Sequence, residues 1–277
     1  MTALHHPAPF SEPRSDPAGV RLSAIVPAYR TGPAIVSSLR RLVAALDETG
    51  VDYEVVVVAD GDLDTYRFAS TCASTRLRVI GYQVNRGKGF ALRYGIAAAS
   101  GELVTFVDAD MQIAPEEIGR MVKLLELYDA DIVVGSKRHP MSRVDYPPLR
   151  RVQSLGYQLL VRSLFRVNVR DTQTGLKVLR REVAADVLDV ALVKRFAFDL
   201  ELLAIARRFG HRRIIEAPVT IDRAFETTTD LKAVRDVLTD TAAIAYRMYI
   251  RHWYDERHGR GLAELQASCP SPFSAGA

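Results

Sequence analysis

Between Leu22 and Gly135 the chain alternates short apolar runs with longer stretches in which apolar residues recur every three or four positions. The runs Leu22–Ala28, Tyr53–Ala59, Leu77–Tyr82, Leu103–Val107 and Asp131–Gly135 are close to continuous, as strands buried on both faces read. The stretches between them predict helices. Pro33 opens one that reaches about Leu46, with Ile35, Leu39, Leu42 and Leu46 on one face. A second follows Asp64, which stands where an N-cap is wanted. A third covers residues 88–99, after the turn Asn85-Arg86-Gly87-Lys88-Gly89, and a fourth covers Glu116–Tyr128. This alternation predicts βαβ units: an α/β fold with a Rossmann-like, mostly parallel central sheet and helices on both faces.

The second half is less regular. Pro147–Val167 reads as a helix carrying Arg150, Arg151 and Ser154, Asp171–Leu179 as a strand, Phe198–Phe209 as a helix and Arg213–Ile221 as a strand. A long amphipathic helix is expected from Asp230 to about Glu256. Its stripe of Leu231, Val234, Leu238, Ala242, Ala245, Tyr249 and Trp253 suits packing on the core better than lying on a bilayer. Residues 1–20, with Pro7, Pro9, Pro13 and Pro17, and residues 258–277 read as disordered tails. The expected organisation is one domain over 21–230, then an appended helix over 231–257.

Composition narrows this little. The chain has 277 residues, 48% apolar and 25% charged, which suits one sizeable globular domain. A net charge of +4 is too small to point to nucleic acid and suits phosphorylated substrates or an anionic membrane surface. Cys72 and Cys269 lie far apart without ligand spacing and read as free thiols in a reducing cytosol. No secretory leader and no transmembrane helix are expected, so any membrane role is peripheral.

Candidate chemistry gathers at strand ends. In a doubly wound sheet, ligands bind beyond the carboxyl ends of the strands, and Tyr29, Asp60, Lys88, Asp108 and Asp110 all lie at or just past such ends. After the fourth run comes Asp108-Ala109-Asp110-Met111-Gln112. If the backbone stays extended, Asp108, Asp110 and Gln112 project to one side. Two carboxylates and an amide suit a hard cation, Mg²⁺ or Mn²⁺. A Rossmann dehydrogenase is disfavoured, because Pro27-Ala28-Tyr29 follows the first strand where G-x-G-x-x-G would stand.

In order along the chain, Ile25-Val26-Pro27-Ala28-Tyr29, Ala59-Asp60-Gly61, Asn85-Arg86-Gly87-Lys88-Gly89, Asp108-Ala109-Asp110-Met111-Gln112 and Gly135-Ser136-Lys137-Arg138 resemble the blocks of family 2 glycosyltransferases of the GT-A fold. The later blocks, Arg170-Asp171-Thr172-Gln173-Thr174-Gly175-Leu176-Lys177 and Arg195-Phe196-Ala197-Phe198-Asp199-Leu200-Glu201-Leu202-Leu203, are similar to those of dolichyl-phosphate glucosyltransferases and the related mannosyltransferases. The resemblance covers about residues 22–230. It implies inverting transfer of a hexose from a nucleotide diphosphate sugar, UDP-glucose or GDP-mannose, to a polyprenyl monophosphate. Glucose and UDP are favoured, and a soluble acceptor is the alternative. It implies peripheral work at the cytoplasmic membrane face.

The resemblance also implies roles for residues. Pro27, Tyr29, Asp60, Lys88 and Asp108 would bind the nucleotide, with Asp60 accepting from the base. Asp108, Asp110 and Gln112 would hold the metal. Asp110, Arg138 and Arg223 would be catalytic, and Arg138, Arg150, Ser154 and Lys177 would hold the acceptor phosphate. Asp199 and Glu201 would position loops. Two departures stand out. Ala59 replaces the first carboxylate of an Asp-Asp-Gly-Ser block, and Ala224-Phe225-Glu226-Thr227-Thr228-Thr229 replaces a Gly-x-Ser-Lys loop after Arg223.

Overall fold

The computed structural model describes residues 20–142, 148–193, 197–221 and 231–257, without the side chains of 148–155 and 231–234. The seven strands are β1 (Leu22–Ala28), β2 (Tyr53–Asp60), β3 (Leu77–Tyr82), β4 (Leu103–Phe106), β5 (Ile132–Ser136), β6 (Lys177–Arg180) and β7 (Ile214–Pro218), and they form one sheet in the order β3-β2-β1-β4-β6-β5-β7. All neighbours pair in parallel except β6, which runs antiparallel to both β4 and β5. The eight helices of the described residues are α1 (Ala34–Asp47), α2 (Leu63–Ser70), α3 (Lys88–Ala98), α4 (Glu117–Leu127), α5 (Pro148–Phe165), α6 (Arg181–Val190), α7 (Phe198–Arg208) and α8 (Leu231–Tyr249).

The apolar runs behave as read. Successive residues of a strand point to opposite faces, and here both faces are covered. From β1 and β2, Leu22, Ala24, Val26, Val55 and Val57 join α1, α2 and α4 in one core. Ile25, Val56 and Val58 join α3, α5, α6, α7 and α8 in the other. Each Leu, Ile or Val buried this way contributes roughly 1.5–3 kcal/mol. Helix α3 lies close against the sheet. A Cβ on Gly95 would lie 2.4 Å from Ile25 Cγ2, so this glycine lets the helix lie against β1 and β2.

Several readings need correction, among them the last helix, which ends at Tyr249 and not near Glu256, a 3-10 turn following at Asp255–Arg257. The strand expected over Asp171–Leu179 begins only at Lys177, because the backbone N–H groups of Arg170 and Asp171 are drawn aside to Glu216 Oε1, at 2.7 and 3.3 Å. The helix after β2 begins at Leu63, so Asp62, not Asp64, stands at its N-terminus. The stripe expected on the last helix is met at Ala245 and Trp253, which pack on the core, and is otherwise rotated. Thr241, Ile244 and Met248 face the core, while Leu238, Ala242 and Tyr249 are exposed. Hydrogen bonds explain the rotation. Tyr157 Oη meets Thr241 Oγ1 at 3.0 Å, and Tyr249 Oη donates to the Leu164 carbonyl, which fixes the face α8 turns to α5. Val20, read as part of the N-terminal tail, is buried. Residues 1–19 and 258–277 lie outside the described residues.

Gly95→Val should therefore be destabilising although it removes a helical glycine. Overpacking against Ile25 is expected to lower unfolding free energy by about 1–3 kcal/mol, read as an earlier urea midpoint with the slope unchanged.

Candidate active site

The carboxyl ends of β1, β2 and β4 open on a shared edge of the sheet. β1 leads into Tyr29, 43% exposed, and Arg30, whose guanidinium lies over the Tyr29 ring at 5.0 Å. Arg30 has φ +53° and donates its backbone N–H to Asp62 Oδ2 at 2.8 Å, tying this loop to the start of α2. Burial alone would raise the pKa of Asp62, but the Thr65 hydroxyl and the backbone N–H groups of Arg30, Asp64 and Thr65 hold it below the usual carboxylate value. Pro27 is half-buried within β1, beside Val58.

Asp60, the last residue of β2, is 3% exposed. Its Oδ1 accepts from the Arg86 N–H at 2.7 Å, and its Oδ2 accepts from the Gly87 N–H at 2.8 Å and from Asn85 Nδ2 at 3.0 Å. These bonds strap the 85–87 turn to the sheet. Gly61 makes the approach possible, since a Cβ there would lie 2.1 Å from Asn85 N. Asp60 is thus engaged with backbone and not turned to a nucleobase, which corrects its expected role. It shapes the turn that delivers Lys88 as the first residue of α3.

Past Phe106 the chain turns. Met111 takes φ +49° and donates its N–H to the Asp108 carbonyl at 3.0 Å, and the Gln112 N–H reaches Asp110 Oδ1 at 3.3 Å. The extended backbone assumed for Asp108, Asp110 and Gln112 is therefore absent. They are displayed by a turn at the end of β4, where Asp110 and Gln112 are exposed and Asp108 is partly so. Gly175 packs directly on Asp108, so closely that a Cβ there would lie 1.7 Å from Asp108 Oδ2. The loop before β6 thereby fixes how this carboxylate stands.

Lys88 Nζ lies 2.8 Å from Asp108 Oδ1 and 3.5 Å from Asp199 Oδ2. Asp199 in turn holds Lys177 Nζ at 2.6 Å through Oδ1. Lys177 is fully buried, with a further bond to the Thr174 carbonyl, so it does not reach an acceptor phosphate, which corrects that expectation. Its buried charge instead compensates Asp199. Burial disfavours the ionised Asp199, but Lys177 and Lys88 outweigh it and hold its pKa below the usual value. Burial likewise opposes the Lys88 charge, and Asp199 and Asp108 hold its pKa above that of ordinary lysine.

Arg138, just past β5, is half-buried and donates from Nη1 to the Arg170 carbonyl at 2.8 Å. Asp171 Oδ2 accepts from the Lys137 N–H at 3.1 Å, so the loops after β5 and before β6 are locked together. Arg150 and Ser154 sit on α5, but their side chains lie outside the described residues, as does Arg223 entirely. Glu201 positions a loop as expected. Fully buried, it accepts from the backbone N–H groups of Leu192 and Val193 at 2.9 and 2.7 Å and from Tyr254 Oη at 2.6 Å.

The donor set at the β4 turn is all oxygen, which fits a hard cation. Among the described residues no three His, Cys, Asp or Glu side chains converge. A cation here would rest on the carboxylates of Asp108 and Asp110 with the Gln112 amide, and complete its shell from water and substrate oxygens.

Residues 23–188 match the family model described as glycosyl transferase family 2, and the chain belongs to that family of glycosyltransferases. Similar proteins include the glycosyltransferase AglD of Haloferax volcanii, 31% identical over 226 residues, which are 80% of this chain and 36% of the relative. Dolichyl-phosphate beta-glucosyltransferase ALG5A of Trichomonas vaginalis is 31% identical over 267 residues, 88% of this chain and 79% of the relative. The human dolichyl-phosphate beta-glucosyltransferase is 31% identical over 206 residues, 68% of this chain and 64% of the relative. The chain thus spans about a third of AglD and just under two thirds of the human enzyme. Among solved structures, glucosyl-3-phosphoglycerate synthase from Mycobacterium tuberculosis, in complex with Mn²⁺, UDP-glucose and phosphoglyceric acid, shares the fold with a TM-score of 0.61 at 22% identity, over 82% of this chain and 80% of that one.

Gly175→Ala should move the Asp108 carboxylate. We expect glycosyl transfer to fall by about a hundredfold, the cost of misplacing a reacting constellation by an ångström, while the circular dichroism spectrum stays that of the parent. Unchanged turnover would mean that the placement of Asp108 is not critical.

Proposed function

We propose that this glycosyltransferase moves glucose from UDP-glucose to a polyprenyl monophosphate, with inversion at the anomeric carbon. The observation that carries this reading is the oxygen-rich turn Asp108–Gln112 at the mouth of β4, with Lys88 seated on it at 2.8 Å. The names of relatives about 30% identical support the acceptor class. The neighbour holding UDP-glucose and Mn²⁺ on the same fold supports the donor and a divalent ion.

An oxygen of the acceptor phosphate attacks the anomeric carbon on the face opposite the diphosphate. The new C1–O bond forms as the bond from C1 to the diphosphate breaks, and that electron pair leaves on the diphosphate oxygen. The products are a β-linked glucosyl polyprenyl phosphate and UDP. The acceptor phosphate is already an anion near neutral pH, so no strong general base is needed. Asp108, Asp110 and Gln112 would hold Mg²⁺ or Mn²⁺, whose charge offsets that building on the departing diphosphate. Lys88 lies beside them to bind the same oxygens. Tyr29, with Arg30 stacked on it, and Pro27 line the side where the nucleoside would sit. Arg138, Arg150, Ser154 and Arg223 are the groups assigned to the acceptor phosphate, for which guanidinium groups are suited by their bidentate donors.

A lipid phosphate places the work at a membrane surface, and we assign it to the cytoplasmic face. None of the helices in the described residues is long and apolar enough to cross a membrane. The outward side of α8, with Leu238 and Tyr246 exposed, and Ile250 just beyond the helix fit a peripheral contact. A second reading keeps the donor and changes the acceptor to a small phosphorylated acid. It is favoured by the phosphoglyceric acid bound in the structural neighbour.

With radiolabelled UDP-glucose and Mn²⁺, label should pass into the organic phase with polyprenyl phosphate and not into phosphoglycerate. Asp110→Ala should reduce this by about a thousandfold or more, the scale of losing a main electrostatic stabiliser. Full activity of Asp110→Ala would overturn the assignment, and labelled phosphoglycerate would select the second reading.

A further inference from the structure

The charged side chains behind the β4 turn form a row: Asp108, Lys88, Asp199 and Lys177, with contacts of 2.8, 3.5 and 2.6 Å. The row is neutral as it stands. Its inner end is fixed, because Lys177 is fully buried and Asp199 is 5% exposed. Its outer end is fixed on one side only. Asp108 Oδ2 leans on Gly175, so this carboxylate cannot swing towards the loop before β6, and its other oxygen is taken by the Lys88 ammonium. The Lys88 side chain has the freedom in this row. It is 27% exposed, it is long, and it already stands within ion-pair range of a second carboxylate oxygen.

We infer that Lys88 is a built-in occupant of the cation position on Asp108, and that the buried Asp199 is the residue to which it withdraws when a divalent ion arrives. This inference deepens the cation site of the preceding section and rests on it. An ammonium and a divalent ion on one carboxylate repel each other, and the repulsion is strong where water is partly excluded. Closing the 3.5 Å contact to Asp199 Oδ2 relieves it and keeps the ammonium beside a carboxylate. Lys177 makes the withdrawal possible, because it keeps Asp199 ionised in its buried place. Asp199 then acts as a positioning residue: it touches no reacting atom, but sets where Lys88 stands once Asp108 is engaged. Lys88 leaves Asp108 carrying charge that is no longer fully compensated, beside the place where the donor diphosphate binds. Cation binding thereby prepares the ammonium for the donor.

The test is Mn²⁺ affinity of the full chain without donor, read from the electron paramagnetic resonance signal of free Mn²⁺. Lys88→Met should bind Mn²⁺ about tenfold tighter than the parent, because a competing positive charge is gone. Lys88→Arg should stay near the parent. Removing the inner pair together, Lys177→Met with Asp199→Asn, leaves no buried charge unpaired. It should weaken Mn²⁺ binding in the parent and change nothing in the Lys88→Met background. Equal or weaker Mn²⁺ binding by Lys88→Met overturns the inference, as does absence of binding in that variant. Should the inner double variant fail to fold, the comparison of Met with Arg at position 88 still decides. Asp110→Ala separates the two levels. If it binds Mn²⁺ as the parent does, the cation site itself is elsewhere. If it loses the ion while Lys88→Met equals the parent, only the inference fails.

Discussion

The ion pair between Lys88 and Asp108 is where the architecture converges. Asp108 is delivered by the end of β4, Lys88 by the start of α3, and the two meet at 2.8 Å because other parts of the chain bring these two ends together. Asp60 straps the 85–87 turn to the end of β2, and Gly61 lets that turn come close. Gly89 lets the first turn of α3 abut Val193 and Phe198, since a Cβ there would lie 2.5 Å from the Val193 carbonyl. Gly175 walls Asp108 on its far side. Two strand ends, a helix start and two loops are thus committed to one contact between opposite charges.

This explains why the antiparallel β6 matters. It slots between β4 and β5, and the loop that enters it carries Gly175 and ends in Lys177. A wholly parallel sheet would bring no strand entry to the carboxyl end of β4. Reversing one strand brings the Thr174–Lys177 segment to the place where Asp108 leaves the sheet. The buried pair of Lys177 and Asp199 then links that entry to α7. An ion pair without water stands only when each charge is compensated, and here each of the two is.

Much of this was legible in the sequence, for reasons that differ by element. The first five strands announced themselves as continuous apolar runs, and α1 by the Ile35, Leu39, Leu42 and Leu46 stripe, all four of which are buried. Asp108, Asp110 and Lys88 could be placed at strand ends because a parallel sheet puts its loops there. What escaped was what depends on contacts between distant segments. Nothing local marks that Asp60 spends its oxygens on a turn 25–27 residues away. Lys177 looked like a cation for a phosphate, because a lysine reads as exposed until its buried partner Asp199 is seen. The apolar stripe of the last helix predicts Leu238, Ala242 and Tyr249 inward, and the hydrogen bonds of Tyr157 and Tyr249 turn Thr241, Ile244 and Met248 to the core instead. Gly175 did carry a signal, a glycine wedged between Thr174 and Leu176 at a strand entry, but its reason lies across space in Asp108.

The central claim is that the β4 turn and Lys88 together form a site for a nucleotide diphosphate sugar with a divalent ion. The most direct measurement is a melting-shift series with UDP-glucose, GDP-mannose and UDP-GlcNAc, each with and without Mn²⁺, since a bound donor stabilises the folded state by mass action. UDP-glucose with Mn²⁺ should raise the melting temperature most, and more than the sum of either alone. No shift with any nucleotide sugar, or the same shift after Asp108→Asn with Asp110→Asn, would contradict it.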